Sequence, residues 1–131
     1  MKRLLTLLLF TCVACEPPVG AVTATHLVTS FRADPVVNTF VAPVNIRYAL
    51  KQPAWVSLRV VVEDSTHTRY LVQDLQQARH ESSGTHHAAW IGTDASGRFA
   101  PKGHYLIELY AQPAEQAEGV SFAVPVYVYR N

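Results

Sequence analysis

Three observations predict an all-β fold for this chain, a two-sheet sandwich of about seven antiparallel strands. The first is period-two alternation of apolar residues, the mark of a strand buried on one face. Val44 to Leu50 is the clearest case, with Val44, Ile46, Tyr48 and Leu50 on one side and Asn45, Arg47 and Ala49 on the other. The second is spacing: such runs recur at intervals of roughly 8 to 20 residues with turn residues between them, and no stretch keeps a long helical period. The third is the segment Trp90 to Tyr105, WIGTDASGRFAPKGHY, which sets three glycines, an Asp and a proline between Trp90 and Tyr105, flanked by alternating runs. That composition suits the corner of a sandwich.

With 131 residues, 49% of them hydrophobic, the chain has the length of one domain and ample apolar content for a core. Charged residues make up 16% and the formal net charge is +1, which predicts neither a basic nucleic-acid surface nor an acidic tail.

Residues 1–14 predict an export signal: Lys2 and Arg3 form the positive n-region, Leu4 to Val13 an apolar h-region, and small Ala14 precedes Cys15. The apolar run is shorter than the ~20 residues a bilayer-spanning helix needs. Val13-Ala14-Cys15 resembles the lipobox of bacterial lipoproteins, with Cys12 where that pattern usually has Leu. The resemblance implies that Cys15 becomes the first mature residue and carries the lipid. The register ending at Cys12 fits less well, because Phe10 and Thr11 are bulky beside the cut. No Cys follows position 15, so the mature domain has no pair for a structural disulfide. Without residues 1–14 nine basic side chains face ten acidic ones, a net charge of −1.

Residues 15–24, with two prolines and a glycine after Cys15, predict a flexible tether, and 25–131 the sandwich. Thr25 to Phe31 is its first strand-like run, ended by Asp34-Pro35. Val44 to Leu50 follows, then Trp55 to Glu63, with Val56, Leu58, Val60 and Val62 inward and the turn Glu63 to Thr66 after it. His67 to Gln73 is a weaker strand. Asp74 to Ser83 is too poor in apolar residues for a packed helix and is expected to be an extended loop closed by Gly84. Thr85 to Ile91 alternates again, with Trp90 inward. Beyond the corner, Tyr105, Ile107, Leu109 and Ala111 share one face. The last run, Val120 to Tyr129, turns Phe122, Val124, Val126 and Val128 inward, and its Pro125 predicts an edge strand or a bend.

In the corner, Trp90 can fill the space between two sheets, Gly92 lets the backbone leave the sheet, and Asp94 to Gly97 has turn composition. Pro101-Lys102-Gly103 makes a second bend, and the Tyr105 hydroxyl is available to a backbone partner. Here the chain resembles the immunoglobulin-like domain of the flagellar hook-capping protein, a domain also carried by bacterial secreted and surface proteins. The residues in that family's places are Trp90, Gly92, Asp94, Gly97, Pro101, Gly103 and Tyr105, with Ile91 where the family usually has Asp. The likeness covers about residues 40–112 and implies an immunoglobulin-like or fibronectin-III-like sandwich. It implies no hook-capping role, since fold does not carry function.

The residues offer no catalytic constellation. Ser82, Ser83, His86 and Asp94 are the nearest approach to a nucleophile with base and acid, without a nucleophile elbow or an oxyanion loop. His86 and His87, with His80 or His104, are the obvious metal candidates, but neighbours on a strand point to opposite faces and cannot readily share an ion. No metal, cofactor or enzymatic activity is therefore expected. The expectation is a lipid-anchored cell-envelope protein, on the outer face of a membrane or at the outer membrane, whose single domain binds or assembles with another envelope protein. A glycan-binding surface made of Tyr110, Tyr127 and Tyr129 is the alternative, and strand addition at an open sheet edge a third possibility.

Overall fold

The computed structural model describes residues 26–114 and 117–131, so the expected signal, Cys15 and the tether lie outside the described residues. Among the described residues, eight strands follow in chain order: β1 (Val28–Ala33), β2 (Val36–Asn38), β3 (Val44–Leu50), β4 (Ala54–Glu63), β5 (Arg69–Glu81), β6 (Gly84–Trp90), β7 (Gly103–Gln112) and β8 (Val120–Tyr129). They form two sheets, one of order β2-β8-β7-β4-β5 and one of order β1-β3-β6. The all-β, two-sheet expectation holds.

Register explains the core. Val56, Leu58 and Val60 of β4 lie opposite Ala111, Leu109 and Ile107 of β7, and all six are fully buried. From the smaller sheet, Val44, Ile46 and Tyr48 of β3 face inward, with Trp90 of β6 paired to Val44. These residues belong to one continuous apolar cluster. In β3 and β7 the alternating run buries one face throughout, so there the period-two signal and the core are the same fact.

Three features differ from the sequence expectation. Asp74 to Ser83 is not a loop: Arg69–Glu81 is one thirteen-residue strand. It lies at the sheet edge and its pairing to β4 shifts register at three places, which erases the alternation that would have revealed it. Its polar side chains take up structural bonds, as Gln76 Nε2 does by donating to the Val56 carbonyl at 3.1 Å. The strands are not all antiparallel, because β2 pairs with β8 in parallel. Finally, Val61, expected outside, is buried at 2% exposure. Arg69, opposite Glu63, reaches diagonally to Glu108 at 2.6 Å, so its aliphatic stem crosses the row in which Val61 stands.

The last strand is not an edge strand, because β2 pairs beside Tyr127 to Tyr129, but β2 does not extend to Pro125 and leaves that side open there. Tyr127 N–H donates away from β7, to the Pro35 carbonyl. By alternation Pro125, two residues earlier, turns its missing N–H to that same open side. Phe122 does share the inward face but remains 37% exposed, at a shallow opening that it lines with Val28 to Phe31 of β1.

The two ends of the sandwich are distinct. The described chain enters at His26 beside the Leu50–Gly84 end, where Val28 pairs with Leu50. The opposite end, the corner pole, carries the 39–43 and 64–68 turns, the 91–102 loop and the last residues Arg130 and Asn131.

Candidate binding site at the corner pole

All seven motif residues of the corner lie in or beside one loop, and most have a local task that the structure makes visible. The Trp90 ring meets Tyr105 edge-on at 5.3 Å, and its Nε1–H donates to the Thr93 carbonyl at 2.7 Å. Tyr105 donates its hydroxyl to the Pro101 carbonyl at 2.5 Å. Burial raises the Tyr105 pKa, and the nearby Arg130 guanidinium opposes that rise. Gly92 has φ +89°, and a Cβ there would stand 2.9 Å from Thr39 Cγ2. Asp94 Oδ1 accepts the N–H groups of Ser96 and Arg98, both at 3.0 Å, and the Ser96 hydroxyl at 2.8 Å. Those bonds, led by the Ser96 hydroxyl, hold its carboxyl below the usual range.

The neighbouring 64–68 turn uses the same device. Asp64 Oδ1 accepts from the Thr66 hydroxyl at 2.6 Å and from the N–H groups of Thr66 and Thr68, and its pKa is likewise lowered. The corner loop is also tied down sideways. Ala95 N–H donates to the Val72 carbonyl of β5, and Gln73 Nε2 donates to the Asp94 carbonyl, both at 2.8 Å.

What the loop turns outward is different in character. Phe99 packs edge-on against Phe40 with ring centroids 6.4 Å apart. The Arg130 guanidinium lies over both rings, 4.9 Å from Phe99 and 5.9 Å from Phe40. Phe40, Val41, Ile91 and Phe99 are all strongly exposed at this pole. On the other side of the loop a groove of about 640 Å³ runs between it and β5, with Val62, Leu71 and Val72 on one wall and Ala95, Pro101 and Lys102 on the other. Exposed apolar surface concentrated at one end of a small domain marks an interaction site.

The charges at this pole are unequally engaged. Asp34 accepts both N–H and Nδ2–H of Asn45, Asp64 and Asp94 serve their own turns, and Glu63 pairs with Arg69. Among the described residues, no side-chain carboxylate forms an ion pair with Arg98, Lys102 or Arg130.

The tyrosine set expected to bind does not assemble as a whole. Tyr127 and Tyr129 stack with centroids 6.3 Å apart, and His104 packs on Tyr127 at 4.8 Å. Tyr110 lies opposite Ser121, whereas Tyr127 lies opposite His104. Six residues of strand separate them, about 20 Å at ~3.3 Å per residue. Tyr110 instead packs against Gly119, where any Cβ would enter its ring.

The histidines are dispersed too. His80 packs on Trp55 at 4.7 Å. His86 stacks on Tyr48 at 5.6 Å and contacts the Ser82 carbonyl, at the end of the molecule remote from Asp94. His86 belongs to a polar link between the sheets: Tyr48 of β3 donates its hydroxyl to Glu81 of β5, beside His86. Burial, then the Glu81 hydrogen bond, pushes the Tyr48 pKa up strongly. No group of three or more His, Cys, Asp or Glu is placed to hold a metal ion among the described residues.

Phe40 and Arg130 were not singled out by the strand pattern, because neither belongs to an alternating run. The one signal available was a Phe-Val pair outside any such run, next to the polar turn residues Asn38 and Thr39. No protein-family model and no curated protein matches the chain.

Proposed function

We propose that the chain is a non-enzymatic, lipid-anchored cell-envelope protein whose immunoglobulin-like sandwich of fibronectin-III type works as a protein-binding or assembly module. The observation that carries this reading is polar asymmetry. The described chain enters the fold at one end, and most of its exposed large apolar side chains, among them Phe40, Val41, Ile91 and Phe99, gather at the other, where the Arg130 guanidinium lies over two of the rings. A domain tethered through Cys15 would present the corner pole away from its anchor.

Two features support the fold type. A three-stranded sheet β1-β3-β6 faces β8-β7-β4-β5, with β2 added beside β8. The bond from Tyr105 at the start of β7 back to Pro101 is a tyrosine corner, a mark of immunoglobulin-like sandwiches. Both also support the likeness to the hook-capping protein's immunoglobulin-like domain, as architecture alone.

Two measurements test the reading. Labelling with a fatty acid in cells should mark the parent chain and not Cys15→Ala; equal labelling removes the anchor. Photo-crosslinking groups placed at Phe40 and Phe99 should trap an envelope protein that groups at Lys51 and Ser82 do not. Crosslinks from the entry end alone would place the interaction elsewhere.

The stacked Tyr127–Tyr129 pair favours one second reading, a glycan-binding face, since paired rings offer a platform to a sugar. Glycan-array binding lost in Tyr127→Ala supports it, and no binding across polysaccharides retires it.

A further inference from the structure

We infer that the corner pole receives an extended protein segment in which carboxylate side chains alternate with apolar ones. The inference rests on the proposed binding function and specifies the chemistry of the partner.

The apolar half of the requirement comes from Phe40 and Phe99. Their rings pack edge-on, remain exposed, and are held in place from behind. Thr39 N–H donates to the Tyr129 carbonyl at 2.9 Å, and the Asn38 carboxamide bonds the Phe40 N–H and the backbone of Asn131. Phe99 sits between the Thr93–Phe99 bridge and the Ala100 N–H bond to Gly92. Two preorganised aromatic rings can accept a partner's apolar side chain without first being ordered, which lowers the cost of association.

The acidic half comes from hydrogen-bonding capacity. Each acid of this pole already has at least one carboxylate oxygen engaged, by its own turn, by Asn45 or by Arg69. Arg98, Lys102 and Arg130 donate no side-chain hydrogen bond to any described residue. Arg130 spends its interaction on the two rings below it, which leaves the edge of its guanidinium open, and a carboxylate can bind that edge in bidentate fashion. Lys102, on the wall of the neighbouring groove, is a second cation across the loop from Arg130.

Other occupants fit less well. A second copy meeting this pole face to face would offer Arg130 only carboxylates that already hold a bond within their own fold. The membrane that holds Cys15 would lie toward the entry end, where His26 leaves the fold. An acidic, apolar segment of another protein satisfies both the rings and the open donors.

The test is selection from a phage-displayed library of random twelve-residue peptides on the immobilised full chain carrying Cys15→Ala, in parallel with the same chain carrying Arg98→Gln, Lys102→Gln and Arg130→Gln. Far-ultraviolet circular dichroism and melting confirm that the variant is folded; Arg130→Gln alone serves if the triple variant is not. Selected peptides should be enriched in Asp and Glu interspersed with Leu, Ile or Phe. Their recovery should fall about tenfold or more on the Gln variant and at raised salt, the behaviour of charge pairs at an interface. Peptides without an acidic excess, or equal recovery on both chains, would overturn the inference.

Two further arms read the other occupants. Co-sedimentation with phosphatidylglycerol vesicles that weakens in the Gln variant would assign the pole to a membrane, because the two chains are identical in residues 1–25. Self-association lost in Phe99→Ser would assign it to a second copy. Either result overturns the inference. Crosslinking of an envelope protein from Phe40 together with a non-acidic peptide selection would leave the binding function standing and this chemistry rejected.

Discussion

Tyr105 donates its hydroxyl to the carbonyl of Pro101 at 2.5 Å, closing the corner loop onto the strand that leaves it. The same ring buttresses Trp90, so a backbone bond and a core contact meet in one side chain. Four predictions follow the physical chemistry of this loop and of the polar link at the other end.

Tyr105→Phe keeps the ring and leaves the Pro101 carbonyl without its donor. Urea denaturation should report a loss of about 1 to 2 kcal/mol with an unchanged slope, the value of a hydrogen bond whose partner stays partly buried. Trp90→Ala should cost more, ~3 to 5 kcal/mol, because it empties a large fully buried ring position. A Trp90→Ala domain as stable as the parent that had lost its partner would mean that Trp90 belongs to a site.

Gly92 and Gly97 have nearly the same φ, +89° and +88°, but only Gly92 is crowded. Gly97→Ala should therefore cost about 1 to 2 kcal/mol for left-handed backbone alone. Gly92→Ala adds the clash with Thr39, a further ~1 to 3 kcal/mol of overpacking. Thermal melts of the two variants, and partial recovery of Gly92→Ala by Thr39→Ser, separate strain from collision.

The lowered pKa values of Asp64, Asp94 and Glu108 predict acid sensitivity. Desolvation opposes the shift at Glu108, but hydrogen bonds from Arg69 and Arg59 outweigh it. A depressed folded-state pKa means that the unfolded chain binds protons first. The stabilisation is present above the ordinary values of 3.8 for Asp and 4.5 for Glu and fades as pH drops below them. The melting temperature should hold down to about pH 5 and fall below pH ~4. Asp64→Asn with Asp94→Asn should flatten that fall.

Tyr48 predicts the opposite, alkaline, dependence. Its folded-state pKa is raised above the ordinary 10.0, so its contribution is complete below pH 10.0 and is lost as pH climbs toward the folded value. Tyr48→Phe should remove that alkaline slope. At neutral pH it should cost about 1 to 3 kcal/mol, because Glu81 loses a donor in a mostly enclosed position. Melting curves between neutral pH and about pH 11 read both effects.

The strands with a clean alternation were legible because their burial is one-sided: Val44 to Leu50 and Tyr105 to Ala111 have the inward faces that their sequences imply. Arg69–Glu81 was not, because an edge strand with register shifts buries too little to write a pattern. The corner was legible for a different reason. Glycine at positive φ, Asp at a turn and Tyr after a proline each answer a local backbone need, and local needs appear in local sequence.

The proposed binding surface is the counterexample. Phe40, Phe99 and Arg130 come from three separate segments, and nothing in any one of them announces the other two. Only the parallel pairing of β2 with β8 brings Phe40 beside the end of the chain, and only the corner loop's path sets Phe99 against them both. The stretch from Trp90 to Tyr105 thus holds two kinds of information. The sequence by itself determined the corner and the all-β class, because period and turn chemistry are properties of neighbours along the chain. Tertiary structure decided which side chains meet at the pole, because that depends on how strands distant in sequence pair.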